Sequence, residues 1–150
     1  MKASVLVIDD SVTVRQQVAA ILVAAGYDVI EAGDGLAGLE AAGAHAGISM
    51  ILCDVNMPRM DGIEFLEKFK GEHRAPSVPV VMLTTNGTPD LIAQAKRAGA
   101  RGWIVKPFQA DLLVGAVRRI VGDAARNSAA QNGILGNPGQ PPLPATKLNG

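Results

Sequence analysis

The fold is decided by one stretch of the chain, Met50-Ile51-Leu52-Cys53-Asp54-Val55-Asn56-Met57-Pro58-Arg59-Met60-Asp61-Gly62. Its apolar first four residues predict a short buried strand. The strand stops at a single carboxylate, Asp54, and Pro58 and Gly62 mark the loop that follows. Because open α/β sheets bind ligands at the carboxyl ends of their strands, Asp54 is the first candidate for a functional residue.

The composition predicts one globular domain. The chain has 150 residues, 48% of them hydrophobic, which is enough for a single core. Lys plus Arg and Asp plus Glu balance at 14 each, so the net charge favours neither nucleic acid nor an anionic membrane as a partner. A single cysteine excludes an internal disulfide. We expect a cytoplasmic monomer without a membrane segment.

Apolar runs outside the opening stretch predict four more strands that alternate with helices. The predicted strands cover residues 4–8, 27–32, 50–53, 80–83 and 102–105. The first helix lies between Ser11, a suitable N-cap, and Gly26, a suitable C′ residue. Further helices are predicted over residues 36–44, 63–71 and 91–98, and a last one has its apolar stripe within residues 112–121. This alternation, with right-handed crossovers, predicts a parallel sheet covered on both faces.

Polar residues stand directly after four of the five strands. Asp9 and Asp10 follow the first strand, Asp54 the third, Thr84 the fourth and Lys106 the fifth. Because the carboxyl ends of parallel strands share one edge, we expect these side chains to meet in one cleft. Taken singly, each is more often a turn residue, a cap or a surface lysine, but those ordinary roles do not predict the convergence.

Three clustered carboxylates must be neutralised. At an effective dielectric constant near 20, two charges about 4 Å apart repel by about 4 kcal/mol. Oxygen ligands with room for waters suit Mg²⁺. A metal ion, the Lys106 ammonium and the Thr84 hydroxyl around one carboxylate would stabilise a transferring phosphoryl group. Asp54 would then be the nucleophile and form an acyl phosphate.

The full set of residues resembles the receiver domain of two-component response regulators, the CheY-like group. The resemblance rests on the Asp9-Asp10 pair, on Asp54 in Asp-x-x-Met-Pro-x-Met-Asp-Gly, on Thr84 and on Lys106-Pro107-Phe108, and it covers about residues 3–122. It implies a flavodoxin-like (βα)5 fold with a five-stranded parallel sheet in the order 2-1-3-4-5. The Lys106–Pro107 peptide bond would be cis.

The resemblance also implies a role for each residue. Asp54 would accept a phosphoryl group from a sensor histidine kinase or a phosphotransfer protein. Mg²⁺ would be held by Asp10 and Asp54, by Asp9 through water and by the main-chain carbonyl of Asn56. Lys106 would pair with Asp54 and then with the phosphoryl group. Thr84 would move toward that group, and the aromatic residue at position 103 would follow it inward.

The predicted output is a change in the face formed by the fourth helix, fifth strand and fifth helix, which a downstream protein would bind. That output is either of the chemotaxis and motility type or the onward relay of the phosphoryl group. Trp103 occupies a switch position where the family usually has Tyr, Phe or His. Three residues near Asp54 are expected to tune the lifetime of the acyl phosphate: Asn56, Thr85 and Asn86.

Three other functions remain open at this stage. An aspartyl-phosphate phosphohydrolase also uses a strand-end Asp, but it usually needs a second acid two residues later, where this chain has Asn56. A scaffold that is never phosphorylated would not need the complete acid set. A flavin-binding protein would need a phosphate loop in place of Asp9-Asp10. Residues 1–122 are predicted to form the receiver domain, and residues 123–150 a flexible Pro/Gly-rich tail with no output domain after it.

Overall fold

The computed structural model contains five strands and five helices that alternate along the chain. It describes residues 2–71, 78–85 and 87–131, the last nine by their backbone alone. The strands are β1 (Ser4–Ile8), β2 (Asp28–Ala32), β3 (Ile48–Asp54), β4 (Val80–Thr84) and β5 (Gly102–Val105). The helices are α1 (Val12–Ala24), α2 (Gly35–Ala44), α3 (Gly62–Gly71), α4 (Pro89–Ala98) and α5 (Ala110–Gln131).

The five strands form one parallel sheet in the order β2-β1-β3-β4-β5, which confirms the predicted flavodoxin-like fold. The register aligns Ile8 with Cys53, Cys53 with Met82 and Met82 with Trp103. Each strand therefore ends near the same edge of the sheet. We call this edge, which carries Asp54, the site edge.

Two apolar layers cover the sheet, one on each face. Along β1 the side chains alternate between them: Leu6 and Ile8 join one cluster with Phe65 of α3, while Val5 and Val7 join the other. All four β1 side chains are completely buried. A strand buried on both faces needs apolar residues at successive positions, and this explains why the central strands are unbroken apolar runs.

Helix ends follow the predicted signals. The Ser11 hydroxyl accepts a hydrogen bond from the Val14 N–H at 3.2 Å and caps α1. Gly26, just beyond that helix, has φ of 98°, and Gly99, which caps α4, has φ of 107°. Both values lie in the left-handed region that glycine adopts without steric cost.

Some boundaries differ from the sequence predictions. Strand β3 begins two residues earlier than predicted, at Ile48, and both Asp54 and Thr84 are the last residues of their strands. Helix α5 continues to Gln131, beyond the predicted domain boundary at residue 122. Residues 132–150 of the predicted tail lie outside the described residues, so the division into domain and tail stays a prediction. Within the described ranges, no helix is long and apolar enough to cross a membrane.

Candidate functional site

Lys106 joins two carboxylates at the site edge. Its Nζ donates a hydrogen bond to Asp9 Oδ2 at 2.9 Å and lies 3.2 Å from Asp54 Oδ1. The Asp9 side chain is completely buried, and those of Asp54 and Lys106 are 7% and 13% exposed. The three elements that carry these residues are far apart in sequence, and the parallel topology brings them together.

The third carboxylate completes an acidic cluster. Asp9, Asp10 and Asp54 each offer one oxygen, and these oxygens lie within 4.8 Å of one another. Asp10 is exposed while the other two are buried. Three carboxylate oxygens, one of them open to solvent, are suitable ligands for a hard divalent cation that keeps several waters. The cluster therefore could hold a metal ion.

Burial and neighbouring charge set the pKa values at the site. Burial raises the pKa of Asp54, and the Asp9 carboxylate adds to the increase, although Lys106 and the Asn56 main-chain N–H oppose it. Burial opposes the charge of Lys106, but its hydrogen bond to Asp9 and the charge of Asp54 outweigh burial and raise the lysine pKa. Lys106 is therefore a fixed positive charge, whereas ionisation of Asp54 is costly.

The backbone around Asp54 is tightly packed. Val55 N–H donates to the Leu83 carbonyl at 2.9 Å, and Gly62 N–H donates to the Val55 carbonyl at 2.9 Å. A Cβ atom at Gly62 would overlap the Asp54 carbonyl oxygen and lie 2.9 Å from the Val55 Cα. Glycine is therefore required for this close approach of the loop to the strand. The sequence analysis interpreted Gly62 only as a turn residue.

Arg15 is a site residue that the sequence analysis missed. Its Nη1 donates to the Asp9 carbonyl oxygen at 2.7 Å, and its Nε contacts Glu31 Oε1 at 3.1 Å. The Asp9 carboxylate is oriented further by the Ser11 N–H, which donates to Asp9 Oδ1 at 2.8 Å. Arg15 thus ties α1 and β2 to the loop after β1. The sequence signal that could have indicated this role is the position of Arg15 in α1, one turn after Ser11.

Comparison with known proteins identifies the family. Residues 5–118 match the response regulator receiver domain. The chain belongs to this family.

Several chemotaxis proteins and solved structures are similar to this chain over most of the domain. The chain is 37% identical over 109 residues to the chemotaxis protein CheY1 of Helicobacter pylori, covering 72% of this chain and 88% of that protein. It is 32% identical over 127 residues to a chemotaxis protein CheY homolog of Campylobacter jejuni, covering 84% and 98%. Among solved structures, chemotaxis protein CheY4 of Vibrio cholerae superposes with a TM-score of 0.77 at 38% identity, covering 80% of this chain and 99% of that one. NtrX of Brucella abortus superposes with a TM-score of 0.81 at 31% identity over 92% of this chain, but only 31% of NtrX is covered.

Other predicted residues of this receiver domain surround the acidic cluster. Thr84 is buried at the end of β4, where its carbonyl accepts a hydrogen bond from Lys106 N–H at 2.7 Å. Thr85 and Asn56 are exposed beside the site. Asn86 lies outside the described residues. The Lys106–Pro107 peptide bond is cis, as predicted.

Trp103, the unusual switch residue of the receiver domain, is buried. Its side chain belongs to the same apolar cluster as Met82 and Ala95 and is 2% exposed. Among the described residues, its Nε1–H is enclosed without a hydrogen-bond partner. The Lys96 Nζ lies 5.0 Å from the centroid of the ring. The indole therefore already occupies an inward position, covered by a cation from α4.

An apolar cleft opens beside Lys106 on the α1 side of the receiver domain. Its volume is about 630 Å³. Helix α1 contributes four lining residues, and the loops after β4 and β5 contribute the rest: Val14, Gln17, Ala20, Ile21, Thr85, Lys106, Pro107 and Phe108. The cleft thus joins an apolar surface directly to the charged site.

Proposed function

We propose that this receiver domain accepts a phosphoryl group on Asp54 and passes the signal to a protein partner. One observation carries the proposal: the Lys106 ammonium contacts the carboxylates of both Asp9 and Asp54, and Asp10 completes the acidic cluster. An oxygen of Asp54 would attack the phosphorus of a phosphohistidine. The phosphorus–nitrogen bond would break, the imidazole would leave, and an acyl phosphate would remain on Asp54.

The residues around Asp54 supply the stabilising charges. Asp9, Asp10 and Asp54 would hold Mg²⁺, with the Asn56 main-chain carbonyl as a further ligand, and the ion would neutralise charge on the phosphoryl oxygens. Lys106 would move its contact from Asp54 to the phosphoryl group. Thr84, at the end of the neighbouring strand, would donate its hydroxyl to a phosphoryl oxygen. Thr85, Asn56 and Asn86 would control how readily water reaches the acyl phosphate.

The apolar cleft beside Lys106 is proposed as the docking site for the phosphodonor protein, a sensor histidine kinase or phosphotransfer protein. A donor must bring its phosphohistidine to Asp54 while its own surface contacts the receiver. The cleft borders Lys106 and is lined by α1 side chains such as Ile21. An apolar helix face of the donor would fit a cleft of this composition.

The signal is proposed to leave through the face formed by α4, β5 and α5. Trp103 on β5 packs among residues that include Ala95 of α4, so a movement of either would alter this face. The similarity to named chemotaxis proteins favours a motility-type output over a phosphorelay. The predicted cytoplasmic location and monomeric state stay predictions.

A phosphohydrolase role receives no support from the site. That chemistry usually needs an acid at position 56, and the amide of the exposed Asn56 side chain cannot act as a general acid or base. The proposed protein is therefore a phosphoacceptor switch, with only its own phosphorylation and dephosphorylation as chemistry.

Phosphorylation by a small donor tests the proposal. Incubation with Mg²⁺ and acetyl phosphate should add the mass of one phosphoryl group, and Asp54→Asn should abolish the addition. Asp61→Asn is the matched control, because Asp61 lies in the loop that follows Asp54 and its carboxylate accepts a hydrogen bond from the Glu64 N–H. A phosphoryl group on the Asp54→Asn protein, or none on the unmodified chain, would refute the proposal.

Trp103 provides an optical readout of the same site. Mg²⁺ and then beryllofluoride, a mimic of the phosphoryl group, should change its fluorescence in a saturable way, and Asp54→Asn should lose the beryllofluoride response. A fluorescence change that is equally large in the Asp54→Asn variant would show that the ligand binds elsewhere.

The docking cleft is tested separately. Ala20→Arg places a long charged side chain in the cleft, so transfer from a cognate kinase should slow by about tenfold or more while labelling by acetyl phosphate is unchanged. Val23→Arg is the matched control, since Val23 is an exposed residue of α1 outside the cleft. Equal slowing by both variants would exclude the cleft as the docking site.

A further inference from the structure

Asp9, the first residue of the acidic cluster, has a partner for every polar atom. Its main-chain N–H donates to the Ala32 carbonyl at 3.1 Å, and its side-chain oxygens accept from the Ser11 N–H at 2.8 Å and from Lys106 Nζ at 2.9 Å. Its carbonyl oxygen accepts from Arg15 Nη1 at 2.7 Å. Asp9 is completely buried, so these contacts fix both its side chain and the direction of its carbonyl.

Asp10, the next residue, has no comparable support. Its side chain is exposed, and no other described residue forms a hydrogen bond or an ion pair with its carboxylate. That carboxylate nevertheless offers an oxygen to the cluster formed with Asp9 and Asp54. The main chain must therefore place the Asp10 carboxylate where it can act as a ligand.

The peptide bond between Asp9 and Asp10 connects these two environments. A peptide unit is planar, so the Asp9 carbonyl oxygen, the Asp10 nitrogen and the Asp10 Cα lie in one plane. A hydrogen bond to the oxygen limits rotation of the plane and thereby sets where the Asp10 side chain begins. The 2.7 Å contact from Arg15 has the length of a charge-assisted hydrogen bond, the stronger kind.

Glu31 of β2 holds Arg15 in turn. Its Oε1 lies 3.1 Å from Arg15 Nε, so one planar guanidinium bonds the loop after β1 through Nη1 and strand β2 through Nε. The Arg15 side chain is only 18% exposed, and its Nη1 lies 3.4 Å from the position that a Cβ would occupy at Gly33. The guanidinium therefore has little room to turn away from the Asp9 carbonyl.

An ordinary surface ion pair does not explain this arrangement. Glu31 is 40% exposed, and ion pairs at such sites contribute little to stability. The Arg59–Asp34 pair, which also lies at the site edge, is of this ordinary kind: its atoms are 3.5 Å apart and the Arg59 side chain is 75% exposed. Arg15 differs because it also bonds the main chain beside two acids of the cluster.

We propose that Arg15, held by Glu31, is a positioning residue that directs the Asp10 carboxylate and so sets the affinity of the acidic cluster for Mg²⁺. This role rests on the Mg²⁺ site of the proposed function. Loss of a residue that orients a metal ligand typically weakens metal binding by about 10–100-fold. Charge alone predicts the opposite, because removal of a cation beside three carboxylates favours a bound metal ion. The direction of the change therefore distinguishes positioning from charge.

Mg²⁺ binding to the full, unphosphorylated chain tests this role. In isothermal titration calorimetry at constant ionic strength, Arg15→Met should weaken Mg²⁺ binding by about tenfold. Arg15→Lys keeps the charge but cannot make both contacts, and it should weaken binding by about threefold. Arg59→Met is the matched control: it removes an exposed paired arginine from the same edge and should change the affinity by less than about twofold.

Two substitutions of Glu31 test the same role without changing Arg15. Glu31→Ala removes the anchor of Arg15 on β2 and should weaken Mg²⁺ binding by about threefold. Glu31→Gln keeps an oxygen that accepts from Arg15 Nε, so it should change the affinity by less than about twofold. Both variants remove the same negative charge, so charge alone predicts equal effects. This pair decides the question even if Arg15→Met does not fold.

Labelling by acetyl phosphate separates positioning from general damage to the fold. For Arg15→Met, the Mg²⁺ concentration that gives half the maximal labelling rate should rise by about tenfold, a larger change than that in the rate at saturating Mg²⁺. A damaged fold would instead lower the rate at saturating Mg²⁺, and its circular dichroism would differ from that of the unmodified chain.

Three results would overturn the role of Arg15. They are unchanged or tighter Mg²⁺ binding by Arg15→Met, equal weakening by Arg59→Met, and equal affinities of the two Glu31 variants. If any of them occurs while the unmodified chain binds Mg²⁺ and is labelled on Asp54, the proposed function stands and only the role of Arg15 is excluded. If the unmodified chain binds no Mg²⁺, the metal site of the proposed function fails, and the role of Arg15 fails with it.

Discussion

Two half-buried lysines at opposite ends of the sheet have opposite pKa shifts. Burial penalises the charge of each. At the site edge, Lys106 hydrogen-bonds Asp9 and faces Asp54, and its pKa is raised. Lys70, near the end of α3, donates to the Val78 carbonyl at 3.0 Å, and burial and then the positive charge of Arg101 lower its pKa. Burial thus sets the direction of the pKa shift at Lys70, whereas the carboxylates of Asp9 and Asp54 reverse its effect at Lys106.

The difference separates the charged site around Asp54 from a lysine that packs outside it. At the site edge, Lys106 and Arg15 pair with carboxylates, and the loop packs against the strand so closely that only glycine fits at position 62. Lys70 instead has the like charge of Arg101 as a neighbour and donates a hydrogen bond to a main-chain carbonyl. The first arrangement positions charges for a transferred group, whereas Lys70 packs between α3 and the segment before β4.

Substitution of each lysine by methionine should give the largest difference in the free energy of unfolding. Lys106→Met leaves the buried Asp9 without its cation and should reduce the free energy of unfolding by about 3–5 kcal/mol at neutral pH. Lys70→Met removes a charge that has Arg101 as a like-charged neighbour, so it should reduce the free energy of unfolding by less than Lys106→Met does. Urea denaturation of both variants measures the difference. Equal losses would show that burial alone governs both lysines.

Two glycine substitutions should separate the packed and open regions. Gly62→Ala forces the Cβ against the Asp54 backbone and should destabilise the fold by about 1–3 kcal/mol. Gly115→Ala in exposed α5 meets nothing and should stabilise it by about 0.5–1 kcal/mol through helix propensity. Thermal denaturation by circular dichroism would detect both changes. A neutral Gly62→Ala protein would mean that the loop can move away from Asp54 without cost.

The sheet and the residues of the site edge could be predicted because strong local signals mark them. Each candidate follows an apolar run, and parallel strands bring those positions together whatever the loops contain. The position of Asp54 in the sequence was therefore enough to place it beside Lys106. The paired contacts could not be predicted, since Arg15 lies in a helix and its partner, the carbonyl of Asp9, has no signature in the sequence.

Features that depend on three-dimensional packing were beyond the sequence. A turn glycine and a glycine that packs under a strand are identical in sequence, so the requirement at Gly62 was not apparent. Trp103 was correctly placed on β5, but its burial and the position of Lys96 over its ring result from how α4 packs.

Neutralising Asp54 should stabilise the fold in a pH-dependent way. Since burial raises the pKa of Asp54, the folded state holds its proton more tightly than the unfolded chain, and ionisation above the unfolded value of about 3.9 costs stability. Asp54→Asn should therefore have a larger free energy of unfolding than the unmodified chain near pH 7. This gain should be smaller in size than the loss expected for Gly62→Ala. The advantage should disappear below about pH 4, where Asp54 is protonated in the folded and in the unfolded chain.

Urea denaturation across this pH range measures the effect of Asp54→Asn, with Asp61→Asn as the control. Asp61 is half-buried in the following loop and accepts a hydrogen bond from the Glu64 N–H at 2.9 Å, so its loss should not stabilise the fold at any pH. A stability advantage of Asp54→Asn that is the same at pH 3 and pH 7 would contradict the assignment of a raised pKa.

The smallest expected effect concerns Lys96, whose ammonium lies over the ring of Trp103. A cation–π contact at an exposed site contributes about 0.5–1 kcal/mol, so Lys96→Met should cost no more than that. The emission of Trp103 should change because the ammonium 5.0 Å from the ring is removed. Arg97→Met removes the neighbouring exposed cation and should leave the emission unchanged, because among the described residues it is Lys96 whose cation lies over the ring. If both variants alter the emission equally, the indole senses the overall charge of α4 and not a direct contact with Lys96.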